Sequence, residues 1–184
     1  MMDQVAQLCR RAKAGDAVAA SEMLSLFYER VFSWFRRLCG NDEDAEDLTQ
    51  KTFIKVWAAL GSYEGRSSFS TWIHGIAHHV YVDWRRRKNL AELQTDTWWE
   101  SCVAEGPSPF EDAAEREMAH QLYCLVEQLQ EPAREAVHLH YYQGLSLRET
   151  AEVLDIPTST LKYRLREALD VLRSQAAEPK FRTR

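Results

Sequence analysis

The sequence predicts an all-α protein of two helical domains joined by an acidic linker. Apolar residues recur at steps of three and four along several segments, the spacing of one helix face, and nowhere is there the sustained alternation of a strand. The pattern dissolves once, over residues 91–111, where acids, Gly106, Pro107 and Pro109 cluster. At 184 residues and 45% hydrophobic content, the chain fits one medium domain or two small ones.

The first domain is expected over residues 3–90. Ala20, Met23, Leu24, Phe27, Val31, Phe35 and Leu38 form one apolar stripe. After the acidic run "GNDEDAED", whose carboxylates suit a helix N-terminus, a second stripe runs through Ala45, Leu48, Thr52, Phe53, Val56, Trp57 and Leu60. Gly61 and Gly65 punctuate a loop. A third helix carries Phe69, Trp72, Ile73, Ile76, Ala77, Val80 and Trp84, and is expected to end in the basic run Arg85, Arg86, Arg87, Lys88.

The linker, residues 91–111, holds Trp98 and Trp99, large apolar side chains that an idle spacer rarely carries. The second domain is expected over 112–176. It opens with the stripe Ala114, Met118, Leu122, Leu125, Val126 and Leu129, followed by a helix from Pro132 and a C-cap at Gly144. Ser146 and Glu149 have the spacing of a capping box. Ala151 allows close approach, Pro157 stops the helix, and Thr158 is expected to cap the next one. Leu161, Leu165, Ala168, Leu169 and Leu172 supply that helix's core face. A short helix, a tight turn and a longer helix make a helix-turn-helix. Thr158, Ser159, Thr160, Lys162, Tyr163, Arg164 and Arg166 are left on the outside near its N-terminal end, the end that enters a major groove in this motif.

Charge is unevenly spread. Residues 1–95 sum to +1, residues 96–117 to −6 and residues 118–184 to zero, so the net −5 does not argue against nucleic acid. Cys9, Cys39, Cys102 and Cys124 form no CxxC pair, and His74 with His78 lacks a third ligand, so no metal, disulfide framework or cofactor is expected. No membrane span or signal peptide is read, and the expected location is cytoplasmic.

Three segments, "AEDLTQKTFIKVW" (45–57), "GRSSFSTWIHGIAHHVYVDWRRRK" (65–88) and "PAREAVHLHYYQGLSLRETAEVLDIPTSTLKYRLREAL" (132–169), together resemble bacterial RNA polymerase sigma factors of the extracytoplasmic-function type, which have only the σ2 and σ4 domains. The resemblance spans nearly the whole chain. It implies a non-enzymatic protein that binds core RNA polymerase, at the largest-subunit coiled-coil and the flap region, and recognises promoter minus-ten and minus-thirty-five elements. Members are usually restrained by an anti-sigma protein, which joins the expected partners.

By the same resemblance, Asp47, Gln50 and Lys51 form the polymerase-binding face; Lys51 stands where the family often has Glu. Lys55, Tyr63 and His79 match minus-ten pocket positions, with His79 replacing a common Asn. Arg85, Arg86, Arg87 and Lys88 serve phosphates or cap their helix; Phe69 and Trp72 are assigned to core packing. His140, Thr158, Ser159, Thr160, Lys162, Tyr163, Arg164 and Arg166 are the minus-thirty-five candidates, His140 and Glu167 departing from the basic residues common there. The acidic linker is expected either to enter the polymerase's positive cleft or to act as an extended spacer. Two rivals stand beside this reading: a dimeric helix-turn-helix regulator that binds duplex DNA unaided, and a nuclease using His74, His78, His79 and Asp83.

Overall fold

The computed structural model describes residues 2–92 and 121–176. The linker reading, with Trp98, Trp99 and Cys102, and the start of the following stripe at Ala114 and Met118 lie outside the described residues. The first half holds α1 (Met2–Lys13), α2 (Ala17–Cys39), α3 (Asp42–Ala59), a 3-10 turn (Leu60–Ser62) and α4 (Phe69–Glu92). The second holds α5 (121–127), α6 (Glu131–Val137), a π turn (His138–Tyr142), α7 (Leu147–Val153) and α8 (Thr158–Ala176). The described residues contain no strand.

Local chemistry sets the boundaries. The Asp16 carboxylate caps α2 by accepting from the Ala19 N–H at 3.0 Å, and Asn41 caps α3 by accepting from Asp44 at 2.8 Å. Gly40 ends α2 at φ 75°, a left-handed position that glycine adopts without a Cβ penalty. Helix α1 is an element the apolar pattern did not call; Leu8 and Cys9 bury its inner face. Trp34, on α2, is fully buried at the centre of the first core, its ring 5.1 Å from Phe35, 6.1 Å from His74 and 6.1 Å from Tyr81. In the second half, Ala136, Leu139, Ala151, Leu161, Leu165 and Ala168 are buried where α6 and α7 meet α8.

Several expectations change. Trp57 is half exposed and Phe53 only partly buried, because both line the open groove between α2 and α3 instead of the core. Leu122 is likewise exposed. Helix α4 does not end at Arg85–Lys88 but continues to Glu92, which removes C-terminal capping as the role of the basic run. Thr158 is the first residue of α8 rather than its cap; the Pro157 carbonyl accepts the first helical bond, from Leu161 at 3.1 Å.

The halves are packed together. Helix α4 lies against α7, and the Arg37 guanidinium of α2 sits 4.2 Å from the Tyr142 ring centre and 5.2 Å from that of Tyr123.

Candidate functional site

Three surfaces carry the candidate residues. The first is an open groove of about 900 Å³ between α2 and α3, walled by Leu24, Tyr28, Gln50, Phe53, Ile54 and Trp57. Ile54 is 69% exposed and Trp57 50%, and Tyr28 stacks on Phe32 at 6.4 Å and leans on Phe53 at 5.7 Å. Apolar side chains clustered on a surface and rimmed by polar ones mark a protein-docking site. Asp47, Gln50 and Lys51 are all exposed on the same helix, but Lys51 forms an i,i+4 ion pair with Asp47. The charge expected to face a partner is therefore already matched within α3. Trp57 was missed as a surface residue because its spacing fits the core stripe equally well; Ile54 and Tyr28 fall off the two stripes.

The second surface runs from the 3-10 turn along α4. Tyr63 is half-buried, its hydroxyl donating to the Ser67 carbonyl at 2.8 Å and its ring 5.4 Å from Phe69 and 5.0 Å from Trp72. Burial pushes its hydroxyl pKa up. Lys13 lies 5.6 Å over the Tyr63 ring and donates to its carbonyl. Phe69 is buried as expected, with Trp72 partly so. Lys55 and His79 are exposed. His79 Nδ1 meets the Gly75 carbonyl at 2.7 Å, so Nδ1 carries a proton and Nε2 is the nitrogen left free of that bond.

The basic run is less uniform than its sequence. Arg85 is paired with Glu131 of α6, and Lys88 with Asp44 at 3.3 Å while lying 4.7 Å over Trp84. Arg86 and Arg87 are exposed, Arg86 at 3.5 Å from Asp83. His74, fully buried, and His78 are kept neutral by burial, each with its pKa down to about 4. No group of three or more potential metal ligands occurs among the described residues.

The third surface is the helix-turn-helix. The capping box is complete: Ser146 Oγ accepts from the Glu149 N–H at 3.3 Å, and Glu149 accepts from the Ser146 N–H at 3.0 Å. Burial works against the Glu149 carboxylate, but hydrogen bonds from Ser146, Thr71 and Ser68 outweigh it and hold the pKa at about 2. Thr158, Ser159, Lys162, Tyr163 and Arg166 are exposed on α8, with Thr160 and Arg164 half-buried. His140 is half-buried in the π turn, its Nδ1 2.7 Å from the Leu145 carbonyl. It therefore braces the turn before α7 as well as facing outward.

Residues 23–90 match the family model for Sigma-70 region 2, and residues 119–172 that for Sigma-70, region 4. The ECF RNA polymerase sigma factor SigX of Bacillus subtilis is 30% identical over 151 residues, covering 80% of this chain and 78% of SigX. SigW of the same organism is 28% identical over 174 residues, covering 90% of this chain and 93% of SigW. Among solved structures, the sigma factor RpoE in complex with the anti-sigma factor NepR from Bartonella quintana matches with a TM-score of 0.71 at 23% identity, covering 84% of this chain and 94% of that one. CnrH, in complex with the cytosolic domain of CnrY, matches with a TM-score of 0.68 at 21% identity, covering 97% of this chain and 100% of that one.

Proposed function

The chain belongs to the ECF RNA polymerase sigma factors of the sigma-70 family, and from that premise we propose how its surfaces divide the work of starting transcription at a promoter. The α2–α3 groove docks core polymerase: Trp57, Ile54 and Tyr28 give the apolar anchor and Asp47, Gln50 and Lys51 the polar rim. Aromatic side chains in a pocket are the usual energetic centre of such an interface.

The domain over residues 3–90 reads the minus-ten element. Tyr63 and His79 offer an aromatic wall and a free ring nitrogen for an unstacked base, and Lys55, Arg86 and Arg87 serve the phosphates. The domain over 112–176 reads the minus-thirty-five element through α8, with Lys162, Tyr163 and Arg166 most accessible. None of these roles is catalytic. The protein works in the cytoplasm, where polymerase is, and an anti-sigma partner, as NepR is for RpoE, restrains it.

The observation that carries this reading is that two different surfaces, an apolar docking groove and a cation-bearing helix-turn-helix, occur on one chain in the order of the two family regions. Reconstituted transcription tests it. Purified protein with bacterial core polymerase on a pooled promoter library should give discrete starts sharing two upstream motifs. Duplex binding by the protein alone, without specific starts from several bacterial cores, would favour a dimeric regulator instead.

A further inference from the structure

Helix α1 lies wholly outside residues 23–90, the match to the region 2 model, and no role has fallen to it so far. It is nevertheless firmly seated. Leu8 and Cys9 are buried, and Cys9 Sγ lies 3.1 Å from Met23 Sδ of α2. At the corner into α2, Arg11 donates to the Asp16 carboxylate at 2.7 and 2.9 Å, and the same carboxylate caps α2. The last turn of α1 is thus fixed against α2, and it ends in Lys13.

Lys13 is exposed, yet its ammonium is committed to one residue. It donates to the Tyr63 carbonyl and lies 5.6 Å from the centre of the Tyr63 ring. Glu64, next along the loop, is taken by Arg66 at 2.5 Å, so Lys13 grips the loop by its backbone and an aromatic face rather than by a carboxylate. The far side of Tyr63 is held from α4, by Phe69 and Trp72, and its hydroxyl by the Ser67 carbonyl. Gly61 and Gly65, the latter at φ 74°, give the loop little stiffness of its own. A pocket wall ordered before its ligand arrives loses less freedom when the ligand binds, and Lys13 supplies that order from outside the loop.

We propose that Lys13 is a positioning residue of the minus-ten reader: it pins the Tyr63 loop to α1 and holds the Tyr63 ring ready for an unstacked base, without touching DNA itself. The inference rests on the sigma-factor reading above, with Tyr63 as a wall of the base pocket. It makes α1 a working part of that reader rather than a cover for the core.

The test uses the full chain and the variants Lys13→Met, which keeps a long stem without the charge, Lys13→Arg, which keeps a donor and a cation, and Tyr63→Leu, which keeps apolar bulk against Phe69 and Trp72 without the ring. Circular dichroism first confirms equal helix content. Amide hydrogen exchange, with neither DNA nor polymerase present, should find residues 60–68 exchanging roughly tenfold faster in Lys13→Met, with the rest of the chain unchanged and Lys13→Arg like the wild type. With core polymerase, on a promoter found by the library assay, Lys13→Met should slow open-complex formation roughly tenfold and Lys13→Arg should restore most of the rate. Adding Lys13→Met to Tyr63→Leu should cost nothing further, because the two residues act through one contact. The salt dependence of promoter binding should keep its slope in Lys13→Met; a slope lower by about one would mean that Lys13 meets a phosphate itself and would overturn the positioning role. Unchanged exchange in the loop, a freed loop with an unchanged opening rate, or full additivity with Tyr63→Leu would overturn it too. A wild type that gives no starts from several bacterial cores defeats the initiation reading and the reader role of Lys13 with it, while the exchange result still reports whether α1 pins the loop.

Discussion

At the scale of single residues, the exposed aromatic on α3 and the buried acid on α6 make opposite statements about energy. Trp57 leaves half its surface in water, so truncating it costs the fold little. Covered by a partner, an aromatic anchor is worth about 2 kcal/mol or more. Trp57→Ala should therefore weaken binding to core polymerase by at least roughly tenfold in a competition assay, with the melting temperature nearly unchanged. Glu135 is the reverse case. Burial pushes its carboxyl up to about 7, with Arg85, Arg134 and Arg164 pulling it back down. In the unfolded chain it ionises near 4.5. Between those values the unfolded state has released its proton while the folded state still holds it, so stability falls as pH rises through that window. Glu135→Gln should flatten this decline, so that melting curves at pH 8 gain more than those at pH 5. Equal shifts at both pH values would refute the assignment.

At the scale of elements, the turn between α7 and α8 is the most tightly specified local structure in the second half. The Ile156 N–H reaches the Ala151 carbonyl at 3.1 Å and the Asp155 N–H reaches Glu152 at 3.3 Å, the paired bonds of a Schellman C-cap. That motif puts its C′ residue in the left-handed region, and here the residue is Asp155 at φ 51° rather than glycine. Asp tolerates the conformation better than most, but a Cβ there still costs about 1 kcal/mol. Asp155→Gly should accordingly raise the stability of the helix-turn-helix by only about 0–0.6 kcal/mol, the relief of about 1 kcal/mol being partly offset by glycine's greater freedom in the unfolded chain, and Asp155→Val should lower it by more than about 1 kcal/mol, both read from chemical denaturation. A destabilised glycine variant would mean that the Asp155 side chain does more than occupy the turn. Pro157 is the second barrier, not the first: the reversal is complete before the chain reaches it.

At the scale of the whole molecule, two readers on one chain predict a constraint that no single domain would impose. On the function proposed above, core polymerase holds both readers at a set separation along the duplex, so the spacing of the two elements is as important as their sequence. Inserting about 5 base pairs, half a helical turn, between them should abolish specific starts in reconstituted transcription, whereas about 10 should restore part of the angular match but not the reach. Starts insensitive to both insertions would show that only one reader engages.

Much of this was legible in the residues. Helical periodicity, the Ser146–Glu149 capping box and the stop before Pro157 are local, set by hydrogen bonds and torsions within a few positions, and the sequence alone fixes them. The identity of the reader helix followed from the same local logic, since Lys162, Tyr163 and Arg166 are on the face that the leucines leave outside. Tertiary structure decided the rest. A three-and-four spacing marks a helix face without saying how wide its cover is, so only the packing of α2 on α3 shows that Trp57 lines an open groove instead of the core. The role of the basic run likewise depended on α4 running on to Glu92 and on an acid from α6 meeting Arg85. Such pairings join residues tens of positions apart, where no local preference acts; only packing brings them within reach.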